Sequence, residues 1–233
     1  MGIRDIEFLS DPTVGEVRIG CPGSVAAAIL PTAIERFSRQ YPRAVLTFDE
    51  VPAPSTEFPG LMERKHDLVL ARIARPLVDE QQLNVEVLFQ DPLVVAADLH
   101  SPWARRRKVE VRELLDAPWI LTAPDTWVYM SVAAAFQARG FAMPKINLAA
   151  SSALLRVNLL ATGPFVTAIP SSVSRLNASR HSLKLLPIDL DIRGHPVAIL
   201  TLKNRVLSPL AAFFTDHVRA VAKSMTPGSQ ARR

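Results

Sequence analysis

The sequence predicts an α/β protein of two lobes around a cleft, on three observations. Strand-like apolar runs alternate with amphipathic helical segments, an order that builds mainly parallel sheets with right-handed crossovers. The second half repeats the grammar of the first. Between the halves, the apolar stretch 83–99 is long for one strand and is broken by Asp91-Pro92, a place for the chain to pass from one lobe to the other. A chain of 233 residues fits one large domain or two lobes of about 100 residues, either of which can bury a core.

Each element follows from local pattern. Residues 15–20 alternate and then turn, as a strand does. Val25, Ile29, Ala33, Ile34, Phe37 and Tyr41 recur at helical spacing; Pro31 should kink that helix or open its regular part, and Pro42 stops it. Residues 45–51 read as a second strand, followed by a loop with Pro52, Pro54 and Pro59 and a short helix near 60–64. The continuous apolar run at 67–72 reads as a buried strand. Beyond the break at Asp91-Pro92, strands are expected at 119–122, 146–150, 165–169, 183–188 and 197–202. Helices are expected at 127–139, ended by Gly140, and at 152–162, ended by Gly163. Ser208-Pro209 form an N-cap and N1 pair for a last helix with Leu210, Phe213, Phe214, Val218 and Val221 on its apolar face. The lobes are then 15–91 with 197–224, and 92–196, flanked by a linker remnant at 1–14 and a disordered polar tail at 225–233.

Composition excludes several classes. Hydrophobic residues at 48% and charged residues at 21% describe a globular chain. The longest apolar runs, 93–97 and 197–202, are far too short to span a bilayer. Arg4, Asp5 and Glu7 interrupt the N-terminus where a secretory signal would be apolar, so a cytoplasmic location is expected. A single cysteine, Cys21, excludes an internal disulfide and a cysteine-cluster metal site. His66, His100, His181, His195 and His217 are scattered without zinc-ligand spacing, so no metal is indicated. The net charge is +5, and its only dense run, Arg105 to Lys108, has no aromatic interleaving and reads as a solvated loop ahead of the helix-like 109–115. No G-x-S-x-G, P-loop, dinucleotide glycine fingerprint or supported carboxylate pair is present, and Asp49-Glu50 read as solvated strand-end residues; no enzyme and no cofactor are expected.

Several short motifs occur in a characteristic order. They are Gly15-Glu16-Val17-Arg18-Ile19-Gly20, Leu30-Pro31, Phe37 with Tyr41-Pro42, His66-Asp67-Leu68-Val69 and Asp91-Pro92-Leu93-Val94-Val95. Pro118-Trp119-Ile120 and Leu160-Ala161-Thr162-Gly163, leading to Ile169-Pro170, continue the series. From Gly15 to Ser224 this order resembles the effector-binding (LysR substrate-binding) domain of LysR-type transcriptional regulators. The resemblance implies two Rossmann-like lobes of the type 2 periplasmic-binding-protein fold, with a hinge and an interlobe cleft that takes a small metabolite, an organic acid by expectation. It also implies a homodimer or higher homo-oligomer, and DNA binding only through a winged helix-turn-helix that would precede Gly15 and is expected to be missing here. The rival reading is a solute-binding protein of a transport system, which uses the same bilobal fold; the apparent lack of a signal segment disfavours it.

In such a fold ligands bind at the C-terminal ends of strands, where helix N-termini present free amides. Four loops are expected there. In Cys21-Pro22-Gly23-Ser24 the amides suit a carboxylate and Ser24 can donate a hydroxyl, or else serve as a plain N-cap; by resemblance this is a principal effector-contacting loop. Ser55 or Thr56 matches a family hydroxyl position, or is a polar loop residue. Thr126 can hydrogen-bond a ligand while Trp127 adds apolar area, or the pair is a capped helix with a packed indole. The fourth group is Ser151-Ser152 with Thr162-Gly163; where the family commonly has Gly-hydrophobic-Gly, Pro164 and Phe165 stiffen this turn and remove an N–H. Cys21 reads as a small packing residue rather than a redox sensor. Arg72 and Arg156 are further candidates to pair with an acidic ligand, although Asp79, Glu80 or solvent would serve Arg72 as well.

Overall fold

A computed structural model of the chain describes residues 11–177, 182–188 and 190–225. Most of the expected linker remnant and tail, and His181, lie outside these residues. The chain divides into two units, one formed by the residues up to Gln90 with those from His195 onward, the other by Asp91–Gly194.

Along the chain the first unit contains β1 (Gly15–Cys21), α1 (Gly23–Gln40), β2 (Ala44–Glu50), the short α2 (Pro59–Met62), β3 (Leu68–Arg72) and β4 (Leu83–Gln90). The second contains β5 (Leu93–Asp98), β6 (Trp119–Leu121), α3 (Trp127–Gln137), β7 (Ile146–Ala149), α4 (Ala153–Leu160), β8 (Val166–Pro170), α5 (Ser171–Asn177) and β9 (Leu183–Leu185). The chain then returns to the first unit with β10 (Pro196–Leu202) and α6 (Pro209–Ala222). The helix-like stretch 109–115 holds a 3-10 turn at Val111–Leu114, whereas the 3-10 turns at Glu80–Gln82, Pro102–Arg105 and Lys223–Met225 lack a periodic apolar signal and are not predicted by the sequence. The helix α5 was not expected either.

The sheets are mixed, which corrects the expectation of mainly parallel pairing. Their orders are β2-β1-β3-β10-β4 and β7-β6-β8-β5-β9. β1 pairs in parallel with β2 and β3, whereas β10 is antiparallel to both β3 and β4. In the second unit β6 is parallel to β7 and β8, whereas β5 is antiparallel to both β8 and β9. Each sheet therefore holds one reversed strand, second from its edge. In both cases it is the first strand after the chain has crossed from the other unit; β10 runs back along neighbours already laid down, whereas β5 precedes both of its neighbours in the chain. No local pattern encodes that reversal.

The first unit is built around α1 packed on α6. Val25, Ala28, Ile29, Leu30, Ala33 and Phe37 are buried along α1, and Pro31 sits on the exposed face of a helix that runs through it unbroken. Phe37 meets Phe214 edge-on at 5.4 Å, and Tyr41 stacks on Phe213 at 5.1 Å and 4°. Ser208 caps α6, its Oγ accepting from the Ala211 amide at 3.2 Å. The His66-Asp67 motif has a structural explanation. Asp67 accepts from the Arg18 amide at 2.9 Å and from the Arg18 and Arg205 guanidinium groups at 3.1 and 2.6 Å. In the second unit, wholly buried Trp119 donates Nε1 to the Leu114 carbonyl at 2.7 Å and meets Phe136 edge-on, centring the core beneath α3.

The two crossings are pinned within the second unit. Asp91 is wholly buried and accepts from Ser171 Oγ at 3.0 Å, the Ser172 amide at 2.9 Å and Ser172 Oγ at 2.6 Å. The returning strand lies so close that a Cβ on Gly194 would overlap the Asp91 carbonyl oxygen. Only glycine allows that approach, so Gly194→Ala is expected to lose about 1–3 kcal/mol or more of stability, read as a melting temperature lowered by several degrees. An unchanged melting temperature would mean that the crossing yields freely.

Candidate functional site

The parallel strands of the first unit end together. The pairing of Cys21 with Glu50 sets the ends of β1 and β2 side by side, and Arg72 at the end of β3 pairs with Val197 at the start of β10. Cys21, Glu50, Arg72 and His195 thus share one edge of the sheet, together with the loop that opens α1.

That loop departs from the reading of Ser24 as an N-cap. Pro22 is the N-cap residue, at φ −67° and ψ 142°, and it has no side-chain acceptor to offer. Its carbonyl takes the amides of Val25 at 2.9 Å and Ala26 at 2.8 Å. The amides of Gly23 and Ser24, and the half-buried Ser24 hydroxyl, have no hydrogen-bond partner among the described residues. The first turn of an 18-residue helix therefore presents three donors at the strand edge. Glu50, read from the sequence only as a solvated residue, brings its carboxylate so close to Gly23 that a Cβ there would stand 2.9 Å from Oε1. Glu50 is exposed, and the flexible end of its side chain is free to swing aside.

Cys21 is 3% exposed, and its Sγ lies 3.6 Å from the Pro22 carbonyl. Burial pushes its thiol well above the ordinary range, against the lowering influence of Arg72 and with a smaller upward push from Glu50. The thiol is protonated and packed, not reactive. Arg72 is wholly buried and donates Nη1 to the His195 carbonyl at 3.4 Å. Burial, and then the Arg72 charge, hold the His195 imidazole below its ordinary range, so it is neutral at neutral pH. Ser55 lies beside this edge, its amide donating to the Arg72 carbonyl at 3.1 Å, but its hydroxyl is spent on Glu57 within its own turn. The half-buried Thr56 hydroxyl has no hydrogen-bond partner among the described residues.

The second unit resolves its polar groups differently. Thr126 caps α3; its Oγ1 accepts from the Tyr129 amide at 3.4 Å and donates to the Ala123 carbonyl at 2.7 Å. Thr122 Oγ1 contacts Thr126 Oγ1 and must be the donor, because the Thr126 proton is already committed. Trp127 packs half-buried against the core of the unit. Beside them a cavity of about 300 Å³ runs from Thr122 and Tyr129 to Met143 and Ile146. Ser152 caps α4, accepting from the Leu155 amide at 3.2 Å, and Ser151 is exposed. Arg156, 3% exposed, donates Nη1 to the carbonyls of Ala150 at 2.7 Å and Ser151 at 3.1 Å.

Thr162 and Gly163 do not belong with these loops. They follow α4 and precede β8, at the N-terminal end of that strand, because a crossover helix returns the chain to the opposite edge of a parallel sheet. Thr162 Oγ1 donates to the Leu159 carbonyl at 2.8 Å, the Phe165 ring lies over Gly163, and Trp103 Nε1 donates to the Pro164 carbonyl at 3.0 Å. The Pro164-Phe165 departure is thereby built into the fold. The residues that do end β8, Ser171 and Ser172, went unnoticed in the sequence; their partner Asp91 is 80 residues away. Among the described residues no group of three or more His, Cys, Asp or Glu side chains could hold a metal, and no helix is long and apolar enough to cross a membrane.

Known proteins share this architecture. The effector-binding domain of BenM with its effector benzoate superposes with a TM-score of 0.68 at 21% identity, covering 91% of this chain and 94% of that one. The transcriptional dual regulator GltC of Bacillus subtilis (strain 168) is 28% identical over 217 residues, which are 92% of this chain and 70% of GltC. The HTH-type transcriptional regulator DgdR of Burkholderia cepacia is 27% identical over 215 residues, 89% of this chain and 64% of DgdR. The chain thus spans about two thirds of these regulators' own length. The family model of the LysR substrate binding domain matches residues 10–223, and the chain belongs to that family.

Proposed function

We propose that this chain is the effector-sensing part of a LysR-type transcriptional regulator and binds a small organic acid, with the first turn of α1 as its principal contact. The observation that carries this is the set of unspent donors there: the Gly23 and Ser24 amides and the Ser24 hydroxyl, at the strand edge beside buried Arg72. An oxyanion is the chemical complement of backbone donors at a helix N-terminus. Thr56 is a secondary contact in the same unit, and within the second unit Thr126 and Trp127 are candidate contacts that double as a cap and a packed wall. The small carboxylate on the BenM domain and the regulators among the relatives favour this reading over a transport receptor. Cys21, Pro22 and Gly23 contribute backbone, and no residue is placed as a nucleophile or general base, so the chain senses its ligand without turning it over. The setting is the cytoplasm, and DNA is reached through a separate domain.

Binding acts by population. An acid that fits one conformation better than another shifts the balance by that difference in affinity and by no more. A panel of small organic acids, benzoate among them, is expected to contain one that raises the melting temperature progressively with the logarithm of its concentration, equivalent to about 2.7 kcal/mol at a hundredfold excess over Kd. Ser24→Ala is expected to leave the unliganded melting temperature unchanged and to weaken that acid roughly tenfold, the loss of one hydrogen bond to a charged group. No response to any acid, or an unchanged midpoint in the variant, contradicts the reading. The domain is also expected to self-associate as a homodimer, and a single species of monomer mass in sedimentation at high concentration would refute that.

A further inference from the structure

A groove of about 200 Å³ opens beside α2 in the first unit, and the effector reading makes no use of it. Its floor is apolar. Phe58 and Leu83 are buried members of one core cluster, Met62 packs against that cluster, and the lining continues over Val78, which is 48% exposed. The polar part of the lining is all of one sign: Glu57, Glu63 and Asp79, each exposed, with no basic residue among them. Lys65 pairs with Glu63 at 2.6 Å, whereas Glu57 and Asp79 enter no ion pair among the described residues. Asp79 is also fixed in place. The Val78 amide donates to the Thr56 carbonyl at 2.9 Å, Asp79 follows at φ 54°, and its Oδ1 takes the Gln82 side-chain amide at 3.2 Å. Few residues other than glycine adopt that left-handed backbone, short polar ones most readily.

Size and charge together name the occupant. Pockets for drug-sized ligands run to about 300–1,000 Å³, so this groove has room for one long side chain rather than a whole metabolite. An apolar floor under a rim of carboxylates complements a side chain with an apolar stem and a cationic head. Lysine and arginine lay their methylenes on apolar surface and keep the charge at the water edge in this way. Arginine fits better, because its planar, weakly hydrated fork meets carboxylates with paired hydrogen bonds and is enriched among the side chains that anchor protein interfaces. Exposed Val78 offers a place for an apolar neighbour of that arginine. An organic acid, by contrast, is repelled here. We propose that this groove docks a partner protein through an arginine flanked by apolar residues, its stem over Phe58, Met62 and Leu83 and its guanidinium against Glu57 and Asp79. The proposal is independent of the effector reading.

The test follows backbone amides of the whole chain by ¹⁵N NMR during titration with the peptide acetyl-Leu-Arg-Leu-amide. Saturable shifts are expected at Glu57, Met62, Val78 and Asp79, and added salt should weaken them. The same peptide with citrulline, a neutral isostere, in place of arginine should not saturate over that range, and acetyl-arginine amide, which lacks the apolar neighbours, should bind more weakly. The double variant Glu57→Gln, Asp79→Asn is expected to raise the peptide Kd about fivefold or more. Its melting temperature should stay put, since both side chains are exposed and asparagine tolerates the backbone at 79. Equal binding of the citrulline peptide, shifts confined to other residues, or a double variant that titrates like wild type overturns the proposal. Acetyl-arginine amide binding as tightly as the peptide would make the occupant a free small cation. Groove shifts that grow with protein concentration alone would make it a second copy of this chain. Either result overturns the assignment to a partner protein.

Discussion

The carboxylate of Asp91 holds together the one place where this fold is topologically awkward. The chain must leave the first unit, build the second and come back, and each passage inserts a strand against the direction of its neighbours. Asp91 is the first residue after the outward passage, and its buried charge is tied down by Ser171 and Ser172 at the head of α5. Charge-assisted bonds of this kind are among the stronger polar contacts in an interior. Gly194, the last residue before the return, lies against the Asp91 carbonyl. One buried acid and one missing side chain thereby fix where the chain passes between the units, ahead of β5 and of β10.

The helix-opening loops differ in how they dispose of helix N-terminal amides. Every helix begins with amides that lack an intrahelical acceptor. Thr126, Ser152 and Ser208 supply side-chain oxygens to α3, α4 and α6. Pro22 supplies none to α1, so that turn faces outward with its donors unspent. At α4 the Ser152 cap takes one amide, and the buried Arg156 guanidinium is held by the carbonyls of Ala150 and Ser151. Cys21, by contrast, stands in the same loop as Ser24 and is chemically silent, because burial keeps its proton on.

Much of this was legible in the sequence because it depends on short-range pattern. Periodicity located α1 and α6, Ser208-Pro209 marked a helix start, and Asp91-Pro92 marked the break between β4 and β5. What stayed hidden depends on long-range pairing. The reversed strands, the Asp91 clasp on α5 and the approach of Glu50 to Gly23 arise from residues far apart in sequence. Thr162 and Gly163 were misplaced because a glycine turn looks the same at either end of a strand, and only tracing the crossover shows which edge it occupies. Serine commonly caps helices, which is why Ser24 reads as a cap in the sequence; the helix starts two residues earlier than that role requires.

The central claim is that unspent backbone donors at the head of α1 receive an organic acid. Amide hydrogen exchange measures those donors directly. With an acid that raises the melting temperature present at saturation, exchange at Gly23 and Ser24 should slow markedly, with little change along the interior of α1, which is already hydrogen-bonded. Slowing confined to some other region, such as the groove between Phe58 and Leu83, with Gly23 and Ser24 exchanging as in the free chain, would contradict the account.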